Sequence, residues 1–105
     1  MIAGLYIDEI ILGSVDLQIS DENMGVVSGL LKPNENYQKY KDEFRDFTES
    51  HGVVNVQTHN LSVRLENKLK LEPEGGIAVY DIKELNEIQV DVSGLGAEII
   101  EEYFK

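Results

Sequence analysis

Two histidines, three serines that adjoin glycine and twenty carboxylates are the side chains of this 105-residue chain whose types could carry acid–base, nucleophilic or metal chemistry. Cysteine is absent, which removes disulfides, thiolate metal sites, thiol nucleophiles and dithiol redox chemistry. His51 and His59 stand too far apart for the short spacings that place two imidazoles on one metal ion, so a metal site would need carboxylates such as Asp81 or Glu84 brought to them by the fold. His51 is expected to pack beside an aromatic helix face and His59 to lie in a polar turn at 57–60. The segment 16–25, DLQISDENMG, has acids and a glycine but lacks the ligand register and closing glutamate of a calcium loop. Ser14, Ser28 and Ser93 each touch a glycine in sequence, yet none sits in a nucleophile elbow. The glycines at 75–76 and at 94 and 96 are not followed by the lysine of a phosphate loop. These observations point to a chain that is not an enzyme and that carries no metal or cofactor motif.

Charge is the more informative property. Twenty acids against nine Lys and Arg give a net charge of −11, which opposes binding to nucleic acid or to an anionic membrane surface. Residues 1–31 hold five acids and no Lys or Arg, residues 32–80 eight acids and seven bases, and residues 81–105 seven acids and two bases. The excess is therefore concentrated at the two ends of the chain. If the ends meet in the fold they form one acidic surface, for which the candidate residues are Asp16, Asp21 and Glu22 around a first hairpin and Asp91, Glu98, Glu101 and Glu102 near the C-terminus. Such a surface suits a basic protein partner, and the functional expectation is a small acidic binding domain of the immunity or inhibitor type. Two alternatives stand beside it. One is a ligand-binding or enzymatic domain with a pocket between helix and sheet, rimmed by the hydroxyls of Tyr37, Tyr40 and Tyr80. The other is a structural subunit that forms a homodimer through an exposed edge strand.

The elements that would position these residues follow from periodicity. Residues 34–52, NENYQKYKDEFRDFTESHG, place Tyr37, Tyr40, Phe44 and Phe47 on one stripe at helical spacing, with Asn34 as the N-cap and Gly52 as the stop. Residues 5–12 read as a strand broken near Asp8 and Glu9, residues 14–20 as an alternating strand, and residues 21–23 as the turn of a hairpin whose return strand ends at Pro33. Gly25 and Gly29 on that return strand either admit the aromatic helix or mark bulges or weak strand positions. Val53 to Val56 is a short apolar run, residues 61–71 alternate with a bend at Asn67 and Lys68, and residues 77–82 and 88–92 are two further strands. Residues 97–105 predict a short terminal helix with Leu95, Ile99 and Tyr103 on its apolar face.

The expected fold is a single α+β domain over residues 1–105, an antiparallel sheet of about six strands with one long amphipathic helix packed on one face and a short C-terminal helix. The apolar N-terminus lacks a basic segment and contains Asp8 and Glu9, unlike a secretory signal, and no apolar run is long enough to span a membrane. A cytoplasmic location is expected.

Overall fold

The computed structural model describes residues 1–55 and 59–105; the expected end of the apolar run at Val56 and the first two residues of the 57–60 turn lie outside the described residues. The chain forms β1 (Ile2–Ile7), β2 (Ile10–Asp16), β3 (Gln18–Asp21), β4 (Val26–Pro33), a 3-10 turn (Glu35–Lys39), α1 (Lys41–His51), β5 (Val54–Asn55), β6 (Leu61–Leu65), β7 (Gly76–Ile82), β8 (Glu87–Ser93) and α2 (Ala97–Tyr103). Among the described residues the strand pairings are all antiparallel, in the order β5-β7-β8-β4-β2-β1-β6, with β3 also on β4. The sheet curls into a half-barrel, which brings β6 and β7 into contact on its inner side.

Period-two alternation decides which side chains face inward. Ala3, Leu5 and Ile7 of β1, Leu61, Val63 and Leu65 of β6, Ile77 and Val79 of β7 and Val90 and Val92 of β8 are all buried in one core. Between Leu5 and Tyr6 the register of β1 and β2 shifts by one, leaving Leu12 as the extra residue of a bulge. The bulge turns Leu12 wholly into the core. Asp8, with φ 52, makes the tight reversal between β1 and β2, so the break expected near Asp8 and Glu9 is a hairpin turn. A second reversal occupies the bend at Asn67 and Lys68: Leu65 donates its N–H to Leu69 and Leu71 donates to Val63, which lays residues 69–71 along the outer edge of β6.

The expected long helix packed on a sheet face is not formed. Residues 34–52 are divided into a five-residue 3-10 turn and an eleven-residue α-helix, with the break at Tyr40, whose ψ is −7°. Tertiary hydrogen bonds cause the division. Asn34 caps the turn by accepting from the N–H groups of Asn36 and Tyr37, while the side-chain amides of both Asn34 and Asn36 donate to the Ile11 carbonyl on β2. The first turn is thereby tied to β2, and α1 runs on to pack against β7 and β5. Helical periodicity records the aromatic stripe but not these bonds. The sheet also has more strands than expected, because Leu17 separates β2 from β3 and the two-residue β5 adds an edge.

Gly25, just before β4, and Gly29 within it likewise meet other neighbours than the aromatic helix. A Cβ on Gly29 would lie 2.3 Å from the Asp16 carbonyl oxygen, and one on Gly25 would lie 2.2 Å from that of Leu95. Leu95 donates its N–H to the Gly25 carbonyl at 3.0 Å, which seats the approach to α2 on the β3–β4 turn. Ile100 is the buried residue of α2. Gly52, which ends α1 at φ 84, has open space around it. Both Gly25 and Gly52 have positive φ, so an alanine at either costs about 1–2 kcal/mol in backbone strain. Urea unfolding should give about that loss for Gly52→Ala and a distinctly larger one, about 3 kcal/mol or more, for Gly25→Ala, because only the latter also drives Leu95 off the turn.

Candidate functional site

The acids selected from the sequence fall into two groups. Asp21 ends β3 and Glu22 opens the β3–β4 turn, and Glu98, Glu101 and Glu102 are exposed on α2, which the Gly25–Leu95 contact brings alongside. Lys105 joins the two elements, its ammonium 3.1 Å from Glu22 and 3.6 Å from Glu101. The hydrogen bond from Lys105 to Glu22 raises the lysine pKa above its usual value. Asp21 accepts from the Met24 N–H at 3.1 Å and so shapes the turn. Met24 itself projects from that turn and is 67% exposed.

Asp16 and Asp91 are placed apart from these five, on the outer face of the sheet. Ser28 of β4 pairs with Gln18 on one side and Asp91 on the other, and the side chains of Ser20 and Ser28 are hydrogen bonded at 3.0 Å. This polar strip leads from Asp91 towards the β3–β4 turn. Asp16 accepts a 2.9 Å hydrogen bond from the Met1 amine, which lowers its carboxyl pKa.

The most confined polar cluster joins Asp81, which the sequence offers only as a carboxylate for a metal site, to Tyr37, which it offers only as a pocket rim. Asp81 is 2% exposed on the inner side of β7, where it accepts from the Tyr37 hydroxyl at 2.6 Å and from Arg45 Nε at 3.2 Å. The Asp81 N–H donates to Thr48 Oγ1, and the Thr48 hydroxyl donates to the Phe44 carbonyl one turn earlier. Three residues of the helical segment are thus fastened to one residue of the sheet. The readable signal was parity: Asp81 follows Ile77 and Val79 at spacing two, which puts a carboxylate on the buried face and calls for partners there.

Burial, reinforced by the bond to Asp81 and its charge, pushes the Tyr37 hydroxyl far above the usual tyrosine range. A cavity of about 250 Å³ adjoins this cluster, bordered by Leu30, Pro33, Tyr37, Arg45, Asp81 and Ile88. The three tyrosines considered as a pocket rim do not converge on it. Tyr37 is sealed against Asp81, Tyr40 sits at the helix break against Phe44, and Tyr80 alternates onto the outer sheet face, where burial and then the Asp91 charge raise its pKa. Both carboxylate oxygens of Asp81 are engaged, one by Tyr37 and one by Arg45, an arrangement that fixes the helical segment on the sheet.

His51 stacks on Phe47 with ring centroids 5.0 Å apart. His59 closes the aromatic stripe from the other side, edge-on to both Phe44 and Phe47 and hydrogen bonded to Glu43. Among the described residues no three His, Asp or Glu side chains are grouped to hold a metal ion, and no helix is long and apolar enough to cross a membrane.

Fold and surface together define a small antiparallel half-barrel with an acidic end built from a β-turn and a terminal helix. No protein-family model, curated protein or solved structure matches the chain.

Two substitutions test the buried cluster. Asp81→Ala should cost about 3–5 kcal/mol, because Arg45 and the Tyr37 hydroxyl lose their partner inside the protein. Tyr37→Phe should cost less, about 1.5–3 kcal/mol for one hydrogen bond to a charged acceptor. The pH dependence has a definite sign. The raised pKa means that the folded state keeps the Tyr37 proton where the unfolded state releases it near pH 10, so this stability is complete below about pH 10 and falls by about 1.4 kcal/mol per pH unit above it. Unfolding free energies measured through the alkaline range should fall more steeply for the native protein than for Tyr37→Phe.

Proposed function

We propose that this protein is a non-catalytic, cytoplasmic binding domain that masks a basic partner protein with its acidic end, in the manner of an immunity or inhibitor protein. The observation that carries the reading is the surroundings of Met24. An exposed, flexible apolar side chain stands at the tip of a turn that holds Asp21 and Glu22 and abuts α2 with Glu98, Glu101 and Glu102. Acids spread only for solubility need no apolar centre. A protein interface does, since its affinity comes from a few desolvated anchors while the charged rim governs encounter rate and choice of partner. Methionine adapts its shape to the surface it meets.

Lys105 bears on the charge. It neutralises part of the Glu22–Glu101 pair in the free protein, and a cationic side chain of the partner could replace it there. Asp16 and Asp91 belong to the outer sheet face, so in this reading they add to the long-range field and lie outside the contact centre. Edge-strand self-assembly has less support: β5 is two residues long, and the outer edge of β6 is occupied by residues 69–71.

The test is affinity capture from the native cell lysate with three baits of known concentration. The native bait should retain a basic protein that is released at about 0.5 M salt. Bait carrying Met24→Ala with Glu22→Gln and Glu101→Gln should lose it, whereas a control with Asp42→Asn and Glu43→Gln, which removes two acids from α1 instead, should retain it. Equal loss from the control bait would reduce the acidic end to a general charge effect. A partner that resists salt and ignores all these substitutions would place the contact elsewhere.

A further inference from the structure

The outer face of β1, β2 and β6 has a composition unlike the rest of the protein. A cleft of about 640 Å³ opens there, lined by Ile2, Gly4, Tyr6, Ile11 and Ser14 and closed at one end by Arg64, Lys68 and Lys70. Strand register explains its shape. Tyr6 lies between Ile11 and Ser62, and Gly4 lies between Ser14 and Arg64, with Lys70 bridged to Arg64 beyond. The missing side chain at Gly4 leaves a depression, against which the Tyr6 ring and Ile11 lean; a Cβ there would come within 3.0 Å of the one and 3.2 Å of the other.

Apolar side chains on this face are open to solvent, with Ile2 44% and Ile11 39% exposed. The charges are equally unusual for the chain. Three of its nine Lys and Arg residues line one cleft, against one lining acid, Glu66. Arg64 is already held, its guanidinium 4.5 Å from the Tyr6 ring centroid and hydrogen bonded to Glu9. Lys68 and Lys70 have no ion-pair partner among the described residues. Two buried polar atoms on the same side of β6, Ser62 Oγ and Arg64 Nε, have no hydrogen-bond partner among the described residues.

We propose that this cleft binds a small amphipathic organic anion, its apolar body lying over Ile2, Gly4 and Ile11 and its acid head against Lys68 and Lys70. The volume lies within the usual range of small-molecule sites, about 300–1,000 Å³, and apolar walls with a few convergent polar groups are their common composition. In a chain of net charge −11, unpaired cations beside exposed isoleucines select an anion that also has apolar surface to bury. The site is separate from the acidic end and does not depend on its having a protein partner.

The probes are decanoate and decyl phosphate, with decanol as the uncharged analogue, each below its aggregation limit and followed by isothermal titration and by the methyl resonances of Ile2 and Ile11. One or both anions should bind at a single saturable site and shift both isoleucines, and decanol should bind at least about tenfold more weakly. Lys68→Gln with Lys70→Gln should weaken the anion about tenfold while leaving the unfolding midpoint unchanged, since both lysines are exposed. The stronger of the two anions identifies the head group as carboxylate or phosphate. Absence of saturable binding, equal affinity for decanol, or indifference to the lysine substitutions would overturn the proposal. So would sedimentation that shows a dimer dissociated by Ile11→Asp, because a second copy would then cover this face.

Discussion

The carboxylate of Asp81 sits on the side of β7 that the rest of the strand fills with Ile77 and Val79, and the helical segment must answer it. An unpaired carboxylate in such a place would be neutralised or would unfold the region, so the cost of its desolvation is met by the Tyr37 hydroxyl and the Arg45 guanidinium. Those two residues belong to different pieces of the 34–52 segment, one in the 3-10 turn and one in α1. A single acceptor therefore sets the angle between them. Thr48 adds a third bond, to the Asp81 N–H, so that α1 is fixed along its length as well as at its start.

The aromatic residues then pack around a frame that polar bonds have oriented. Phe44 is wholly buried, with Tyr37, Tyr40 and His59 around its ring, and Phe47 lies between the two histidines. This cluster covers the open side of the half-barrel near β5 and β7, while Leu95 and Ile100 do the corresponding work where α2 meets the β3–β4 turn. Hydrophobic burial supplies most of the favourable free energy for both lids, but it is non-directional. Direction comes from Asp81 at one lid and from the Gly25–Leu95 backbone contact at the other.

How much of this was legible in the sequence depends on whether a feature is local. The stripe of Tyr37, Tyr40, Phe44 and Phe47 and the caps Asn34 and Gly52 are local, and each performs the role its residue type suggests, although the helix between them is divided. The division comes from Ile11, a residue more than twenty positions earlier, whose carbonyl holds two asparagine side chains. No helical period reports such a bond. The same holds for Gly25 and Gly29, whose close neighbours are Leu95 and Asp16, and for His59, which a turn-like sequence hides and the fold packs on Phe44. Asp81 differs because its parity within β7 was visible; its partners were not. For the acids, the sequence shows that both ends are negative but not whether they meet; Lys105 lies beside both Glu22 and Glu101 in the fold, while alternation along β2 and β8 carries Asp16 and Asp91 to another surface.

Charge is sorted over the outer surface by the same alternation. On β1 and β6 the outward positions are Ile2, Gly4, Tyr6 and Arg64, and the return of residues 69–71 adds Lys70 beside them; on β4 and β8 they are Ser28, Gln89 and Asp91. The boundary falls where Ile2 pairs with Asp16, whose charge the Met1 amine faces at 2.9 Å. Asp16 is thus partly screened on the side nearest the basic cleft, and the densest group of acids is that of the β3–β4 turn and α2. A chain with a strong net charge can present the opposite sign locally only if its few cations are gathered and the nearest acids are paired. Glu9 on Arg64 and the amine on Asp16 meet that condition at two borders of the cleft, and Glu66 is the one acid that lines it. Since surface pairs of this kind add little to folding stability, their main physical effect is to shape the potential that an approaching molecule meets.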